Sequence, residues 1–242
     1  MTTTDINHRT GRPGPYMLRT RLMGTALLMA SLGACSDKSL LIANPNAPTI
    51  TGAASDPAAF QLQATGLLTQ YRATRTGYIN DMGRFGRESY VFTPQEPRNT
   101  SHYFIGISVG GIQQLDPSGF ASGQWAGQYT NLRDIFNFKN AVPVNASLNA
   151  AQKAAALGFA KTIEAAELLE VIATRDTLGA ITEIKANPAE LAPFVSRDSV
   201  YKYILATLDG AATNLAAGGS SFPFALHSGF TGFNTPATFA LF

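Results

Sequence analysis

The sequence GFAKTIEAAELLEVIATRDTLGAITEI, residues 158–184, contains the pattern of a long helix that packs against other helices. Its first part places apolar side chains at helical spacing, with alanines between them that allow a neighbouring helix to approach closely. The predicted buried face consists of Phe159, Ile163, Ala166, Leu169 and Ala173. Upstream, Asn149 and Gln152 have the spacing of a capping box, and the apolar pattern stops near residues 176–179. We therefore predict one long helix here.

Three further helices are predicted along the chain. Asp56 and Pro57 pair an N-cap with a proline at the first helical position, and Gly77 interrupts the pattern, which predicts a helix over residues 57–76. A second helix carries a stripe that we assign to the core, namely Trp125, Tyr129, Leu132 and Phe136. Ser196 caps a fourth helix. Its predicted buried face consists of Tyr201, Ile204, Leu205, Leu208, Ala212 and Leu215.

The C-terminal part contains a glycine- and serine-rich loop and then a new helix start. Phe222 and Phe224 lie in this loop, and because phenylalanine has no polar group we expect them to fill the core or to contact a further part of the protein. Thr235 and Pro236 repeat the pattern of a cap followed by proline. The sequence stops seven residues later, so we interpret the chain as the N-terminal portion of a longer protein.

The N-terminal segment MLRTRLMGTALLMASLGAC, residues 17–35, has the form of a secretory signal. It combines a positively charged start, a short apolar run and small residues before the single cysteine of the chain, Cys35. Residues 1–34 are therefore predicted to be a signal peptide, with translation beginning at Met17. The sequence before the cysteine resembles a bacterial lipobox, which implies that Cys35 is acylated. An ordinary signal peptide without lipid is the alternative.

Composition narrows the possible functions. Hydrophobic residues make up 45% of the chain and charged residues 14%, which is typical of a globular, core-forming protein. From Cys35 onward the chain has 14 basic and 15 acidic residues, so it has no overall positive charge for nucleic-acid binding. The three histidines are scattered and no Cys/His pair has ligand spacing, so we predict neither a metal nor a cofactor.

The order of these segments resembles the SusD/RagB family of nutrient-binding outer-membrane lipoproteins. The stretches that carry the resemblance are the lipobox, ANPNAPT at 43–49, WAGQYTNLRDIFNFKNAV at 125–142, residues 158–184, FVSRDSVYKYILATLDGAATNL at 194–215 and GFNTPATFALF at 232–242. The resemblance implies an all-α, tetratricopeptide-like bundle of helix pairs with long irregular loops over residues 55–242, which is truncated at its C-terminus. Residues 35–54 would be the lipidated tether.

The resemblance also implies binding rather than catalysis. Such a protein lies on the cell surface of a Gram-negative bacterium, anchored to the outer membrane by its lipid. It captures an oligosaccharide or a peptide and delivers it to a TonB-dependent, SusC-like transporter. Residues 78–104 offer aromatic rings together with planar hydrogen-bonding groups, as sugar binding requires. Within that segment we predict a loop whose ligand-binding candidates are Arg87, Tyr90, Asn99 and Tyr103.

Two other functions are compatible with the residues. The sequence GISVG at 106–110 matches the nucleophile-elbow pattern of serine hydrolases, with Ser108 as the nucleophile. Asp116 and His227 follow in the chain order of such a triad. The alternating strands and helices of that fold are not predicted around the motif, so a hydrolase is the weaker hypothesis. A helical scaffold lipoprotein that holds other envelope proteins is the second alternative.

Overall fold

A computed structural model of the protein describes residues 56–91, 93–116, 118–120 and 124–242. The predicted signal peptide, Cys35 and the tether lie outside the described residues. The described part is mostly helical, and the all-α fold class is confirmed. The elements, in chain order, are α1 (Pro57–Phe85), α2 (Arg98–Thr100), a π-helical turn (Ser101–Ile105), β1 (Ile107–Val109), β2 (Ile112–Gln114), α3 (Ala126–Val144), α4 (Ala150–Arg175), a 3₁₀ turn (Asp176–Leu178), α5 (Arg197–Ala216), a second 3₁₀ turn (Ser228–Phe230) and α6 (Pro236–Phe239).

The capping signals of the sequence are present in the structure. The Asp56 side chain accepts a hydrogen bond from the Ala58 N–H at 2.9 Å at the start of α1. Asn149 and Gln152 form both bonds of the capping box that opens α4, at 2.9 and 3.0 Å. Ser196 caps α5 in the same manner. These short-range hydrogen bonds satisfy N–H groups that a helix start otherwise leaves unpaired, and the predicted helix starts are confirmed.

The predicted end of α1 at Gly77 is wrong, since the helix continues to Phe85. A glycine inside a helix costs about 1 kcal/mol relative to alanine, which tertiary contacts can outweigh. Here Asp81 is buried one turn further on and bonded to Tyr103 and Gln124. The contacts of this last part of α1 therefore favour helix where the sequence alone predicts a loop.

Helix α4 is the central element of the fold. It packs against α3, α5, α1 and α6. Phe159 and Ile163 are fully buried as predicted, whereas Leu169 is 46% exposed and Ala173 is also exposed. The predicted face is thus wrong in its second half, because neighbours on several sides bury Leu168, Val171 and Ile172 instead.

Helix α5 is covered on one side only. Its buried residues are Val200, Ile204, Ala211 and Leu215. Tyr201, Leu205 and Leu208 were predicted to be buried, but they are 39%, 61% and 40% exposed. Ala212 was also predicted to be buried and is exposed. The apolar stripe on α5 is wider than the surface that α4 covers, so only Ile204 and Leu215 of the six predicted residues are buried.

The core is rich in stacked phenylalanines. Phe222 and Phe224 are buried in it, which confirms the expectation that they fill the core. Their rings stack on each other with centroids 5.4 Å apart, and both pack against Phe159 of α4. Trp125 is partly buried at the edge of the core, where its ring stacks on Phe194.

The close contact between α4 and α5 predicts that a single added methyl group changes the stability of the protein. Helix α4 meets α5 at Gly158, where an added Cβ would lie 2.6 Å from the Leu215 Cγ and 3.0 Å from its backbone nitrogen. We expect Gly158→Ala to lower the free energy of unfolding by about 1–3 kcal/mol, because overpacking forces the helices apart. Chemical denaturation of the full chain measures this.

Gly66→Ala is the matched control. Gly66 lies inside α1, and an added Cβ would meet nothing within 4 Å. We expect this variant to be more stable by up to about 1 kcal/mol, because alanine favours helix over glycine. Equal effects of the two substitutions would contradict the close contact between α4 and α5.

Candidate functional site

A pocket of about 420 Å³ lies at the C-terminal end of α1, and we call it the polar pocket. It is lined by Gln70, Ala73, Thr74, Gly77, Asn80, Asp81, Arg84, Tyr103, Phe120, Gln124, Gly127 and Gln128. These residues come from α1, the π-helical turn, the start of α3 and the segment just before it. The volume is within the range of small-molecule sites in proteins.

Asp81 is the centre of the hydrogen bonding in the polar pocket. Its Oδ1 accepts from the Tyr103 hydroxyl at 2.5 Å, and its Oδ2 accepts from the Gln124 Nε2 at 2.8 Å. Arg84 donates to the Tyr103 hydroxyl at 3.0 Å and lies with its guanidinium over the Tyr103 ring. Burial and the bond to Asp81 raise the pKa of Tyr103, so its hydroxyl remains a donor at neutral pH. The pocket wall is thereby held in one geometry.

The hydrogen bonds continue from the pocket into the core. Gln128 donates through its Nε2 to the Gln124 Oε1 at 3.1 Å and to the Glu170 Oε2 at 3.4 Å. Arg75 donates to the other oxygen of Glu170 at 3.0 Å. Gln128 is only 1% exposed, and its Oε1 has no hydrogen-bond partner among the described residues. A buried acceptor without a partner is costly, so a ligand donor that reached this oxygen would be favoured.

A second buried carboxyl group lies beside this chain. Glu167 accepts from the Asn131 Nδ2 at 2.6 Å and from the Thr74 hydroxyl at 3.2 Å. Its pKa is raised from 4.5 to about 7, chiefly because it is buried away from water. The negative charge of Glu170 adds to this shift, while the bonds from Asn131 and Thr74 oppose it. Glu167 therefore changes its charge near neutral pH, one hydrogen bond away from Thr74 in the pocket lining.

The structure separates the four predicted ligand residues. Tyr103 lines the polar pocket. Arg87 and Tyr90 lie outside its lining and meet on Phe104, where the Tyr90 ring stacks at 4.7 Å and the Arg87 guanidinium lies 5.9 Å from the ring centroid. Asn99 is bonded to the Glu96 carbonyl oxygen at 3.4 Å and belongs to neither group. Of the four predicted residues, Tyr103 lines the polar pocket, and Tyr90 stacks on Phe104 to form what we call the aromatic platform.

The sequence reasoning missed several residues that build the pocket. It placed Asp81 and Arg84 in a loop, but both are on α1. It did not single out Gln124, Gln128 or Glu170. A signal for them exists in the sequence, because Gln124, Gln128 and Asn131 recur at helical spacing beside the apolar stripe of α3. Polar residues at such spacing indicate a buried hydrogen-bonded seam only when the partner helix is known.

The geometry of a nucleophile elbow is not found at Ser108. The residue lies inside β1, exposed, in register with Gln113 of β2, and the strand leads into a hairpin rather than a helix. Asp116 accepts from the Ser118 hydroxyl and N–H. His227 accepts through its Nδ1 from the Gly229 N–H. The strained turn from strand to helix that exposes a catalytic serine is thus not formed here.

Searches of the described residues for a metal site and for a membrane-spanning helix, and of known proteins for a similar chain, gave no match. No group of three or more histidine, cysteine, aspartate or glutamate side chains that could hold a metal ion occurs in the described residues. Within the same ranges, no helix is both long and apolar enough to cross a membrane. No family model, curated protein or solved structure matches the chain.

The raised pKa of Glu167 predicts a pH dependence of stability. Because the folded pKa lies above the unfolded value, the contribution of Glu167 to stability is fully present below about pH 4.5 and is lost as the pH rises through about 7. We expect Glu167→Gln to flatten the pH profile of the unfolding free energy across this window, since a glutamine cannot lose the proton. Denaturation of the full chain at several pH values measures the slope.

Glu183→Gln is the control for this experiment. Glu183 is an exposed glutamate that pairs with Lys185 and takes no part in the hydrogen bonds of Glu167. We expect this variant to keep the slope of the parent protein. A Glu167→Gln profile as steep as that of the control would show that the carboxyl group does not titrate near neutral pH.

Proposed function

We propose that this protein is a surface-anchored lipoprotein of the SusD/RagB type. In this proposal it binds an oligosaccharide or a peptide nutrient and delivers it to a TonB-dependent, SusC-like transporter in the outer membrane. The acylated Cys35 anchors it to the membrane and residues 36–54 form the tether. The helices carry the binding surface, and binding requires no covalent chemistry.

The strongest support for this proposal is the polar pocket. Its polar groups are held on helices by hydrogen bonds to one another, so they need little reordering when a ligand binds. Arg84 uses one N–H on Tyr103, which leaves further donors of its guanidinium for a ligand oxygen. The Phe120 ring offers an apolar face in the pocket lining. A hydroxyl-rich or amide-rich ligand provides the complementary groups.

The fold supports the same proposal. Helices α4 and α5 form a closely packed pair joined by residues 176–196, and irregular segments follow α1 and α5. Packed neighbouring helices with irregular segments between them are what the resemblance implies, and this supports the proposal. The aromatic platform of Tyr90 and Phe104 gives a second surface on which a longer ligand could stack.

Ligand binding by the full chain, purified from membranes in detergent, tests the proposal. The protein is applied to a glycan array and to a peptide library, and the affinity for the best ligand is measured by calorimetry. We expect Arg84→Ala to weaken binding tenfold or more, because a hydrogen bond to a charged group is worth about 1.5–3 kcal/mol.

Arg72→Ala is the matched control on the same helix. Arg72 is exposed and does not line the polar pocket, so we expect unchanged affinity. Equal losses in the two variants, or no binding to either ligand class, would overturn the proposal.

Affinity purification from cells tests the proposed transporter partner. A β-barrel transporter in the bound fraction supports nutrient uptake, whereas other envelope proteins without it favour the scaffold alternative.

A further inference from the structure

A second pocket, of about 310 Å³, lies between the three helices α3, α4 and α5 and the extended segment that contains Thr182 and Ile184. We call it the α3–α5 pocket. It is lined by Phe136, Lys139, Asn140, Glu164, Thr182, Glu183, Ile184 and Tyr203. It shares no lining residue with the polar pocket. Its existence therefore does not depend on the proposed function.

The floor of the α3–α5 pocket is a fixed group of charged and polar side chains. Glu164 of α4 accepts from the Lys139 ammonium of α3 at 2.6 Å and from the Tyr203 hydroxyl of α5 at 2.9 Å. Both carboxyl oxygens are thus occupied. Burial and the charge of Glu164 raise the pKa of Tyr203, so its hydroxyl keeps its proton at neutral pH. Three helices are joined at this point.

The extended segment 181–185 forms one wall of this pocket, and side chains of α3 hydrogen-bond to its backbone at both ends. The Tyr129 hydroxyl donates to the Ile181 carbonyl and accepts from the Ile181 N–H, both at 2.8 Å. Four residues further along, Arg133 donates to the Lys185 carbonyl at 2.5 Å. The segment between these two points contributes Thr182 and Ile184 to the lining. A wall fixed in this way keeps the pocket open without a ligand, as small-molecule sites usually are.

Polar groups of the lining remain available. The Lys139 ammonium uses one of its three N–H groups on Glu164. The side chains of Asn140 and Thr182 make no hydrogen bond to any of the described residues. Phe136 and Ile184 add apolar side chains to the same lining. A ligand with an acceptor oxygen next to an apolar face would match both the donors and the apolar side chains.

The charges of the lining disfavour an anion. Lys139 is compensated by Glu164 at 2.6 Å, and Glu183 adds a further carboxyl group at the rim. Glu183 is itself paired with Lys185 at 2.6 Å. No uncompensated positive charge therefore lines the pocket, and a carboxylate or phosphate would lose its hydration without a matching cation.

From these observations we infer that the α3–α5 pocket is a second ligand site, which takes a small uncharged molecule with a carbonyl or hydroxyl oxygen beside an apolar face. The oxygen accepts from the Lys139 ammonium and the Thr182 hydroxyl. The apolar face lies against Phe136 and Ile184. The site is separate from nutrient capture in the polar pocket.

Three aromatic probes of similar size and different charge test this inference. Benzamide, benzoate and benzylamine are titrated into the full chain in detergent, with the Ile184 methyl resonance as the reporter. We expect benzamide to shift this resonance and benzoate to bind at least tenfold more weakly. Benzylamine lacks the acceptor oxygen and is expected to bind at least fivefold more weakly than benzamide.

Two variants locate the site and one serves as control. We expect Lys139→Met and Thr182→Val each to weaken benzamide binding threefold or more, and Thr182→Val leaves the Glu164 ion pair intact if Lys139→Met fails to fold. Lys161→Met is the control, because Lys161 contacts Asn214 outside the pocket. No shift at Ile184, benzoate binding as tight as benzamide, or an affinity insensitive to Thr182→Val would each overturn the inference.

Discussion

Three buried glutamates on α4, at spacings of three residues, are the constraint on which the structure depends. Glu164, Glu167 and Glu170 are each less than a tenth exposed. Glu164 is bonded to Lys139 and Tyr203. Glu167 is bonded to Thr74 and Asn131. Glu170 is bonded to Arg75 and Gln128. A buried carboxyl group is strongly destabilising unless its oxygens are bonded. A rotation or shift of α1, α3 or α5 would break these bonds, so the glutamates fix how the helices align.

The same constraint positions both pockets. Glu170 holds Gln128, which holds Gln124, and Gln124 holds the Asp81 carboxyl group in the wall of the polar pocket. At the other end of the row, Glu164 is the floor of the α3–α5 pocket. Groups that are fixed on helices by such bonds are more precisely placed than groups on loops. The protein thus combines a rigid centre with irregular segments that bring aromatic side chains to the surface.

The sequence predicts the helices well because their starts depend on local chemistry. The caps at Asp56, Asn149 and Ser196 are hydrogen bonds within three residues, and they form as predicted. The burial of Leu205 and the loop after Gly77 were predicted wrongly, because both depend on which neighbour is present in space. The candidate site was predictable in part. Tyr103 was found, whereas Asp81 and its partners come from three separate elements that no local pattern connects.

A double-mutant cycle between Asn131 and Glu167 tests whether the buried glutamates fix the alignment of the helices. Each residue is replaced by leucine alone and together, and the unfolding free energy of the full chain is measured. We expect each single change to cost about 1–3 kcal/mol, because it leaves a buried polar partner unpaired. The double variant is then expected to lose less than the sum by about 1 kcal/mol or more. Effects that add within about 0.5 kcal/mol would contradict the claim that buried glutamates fix the bundle.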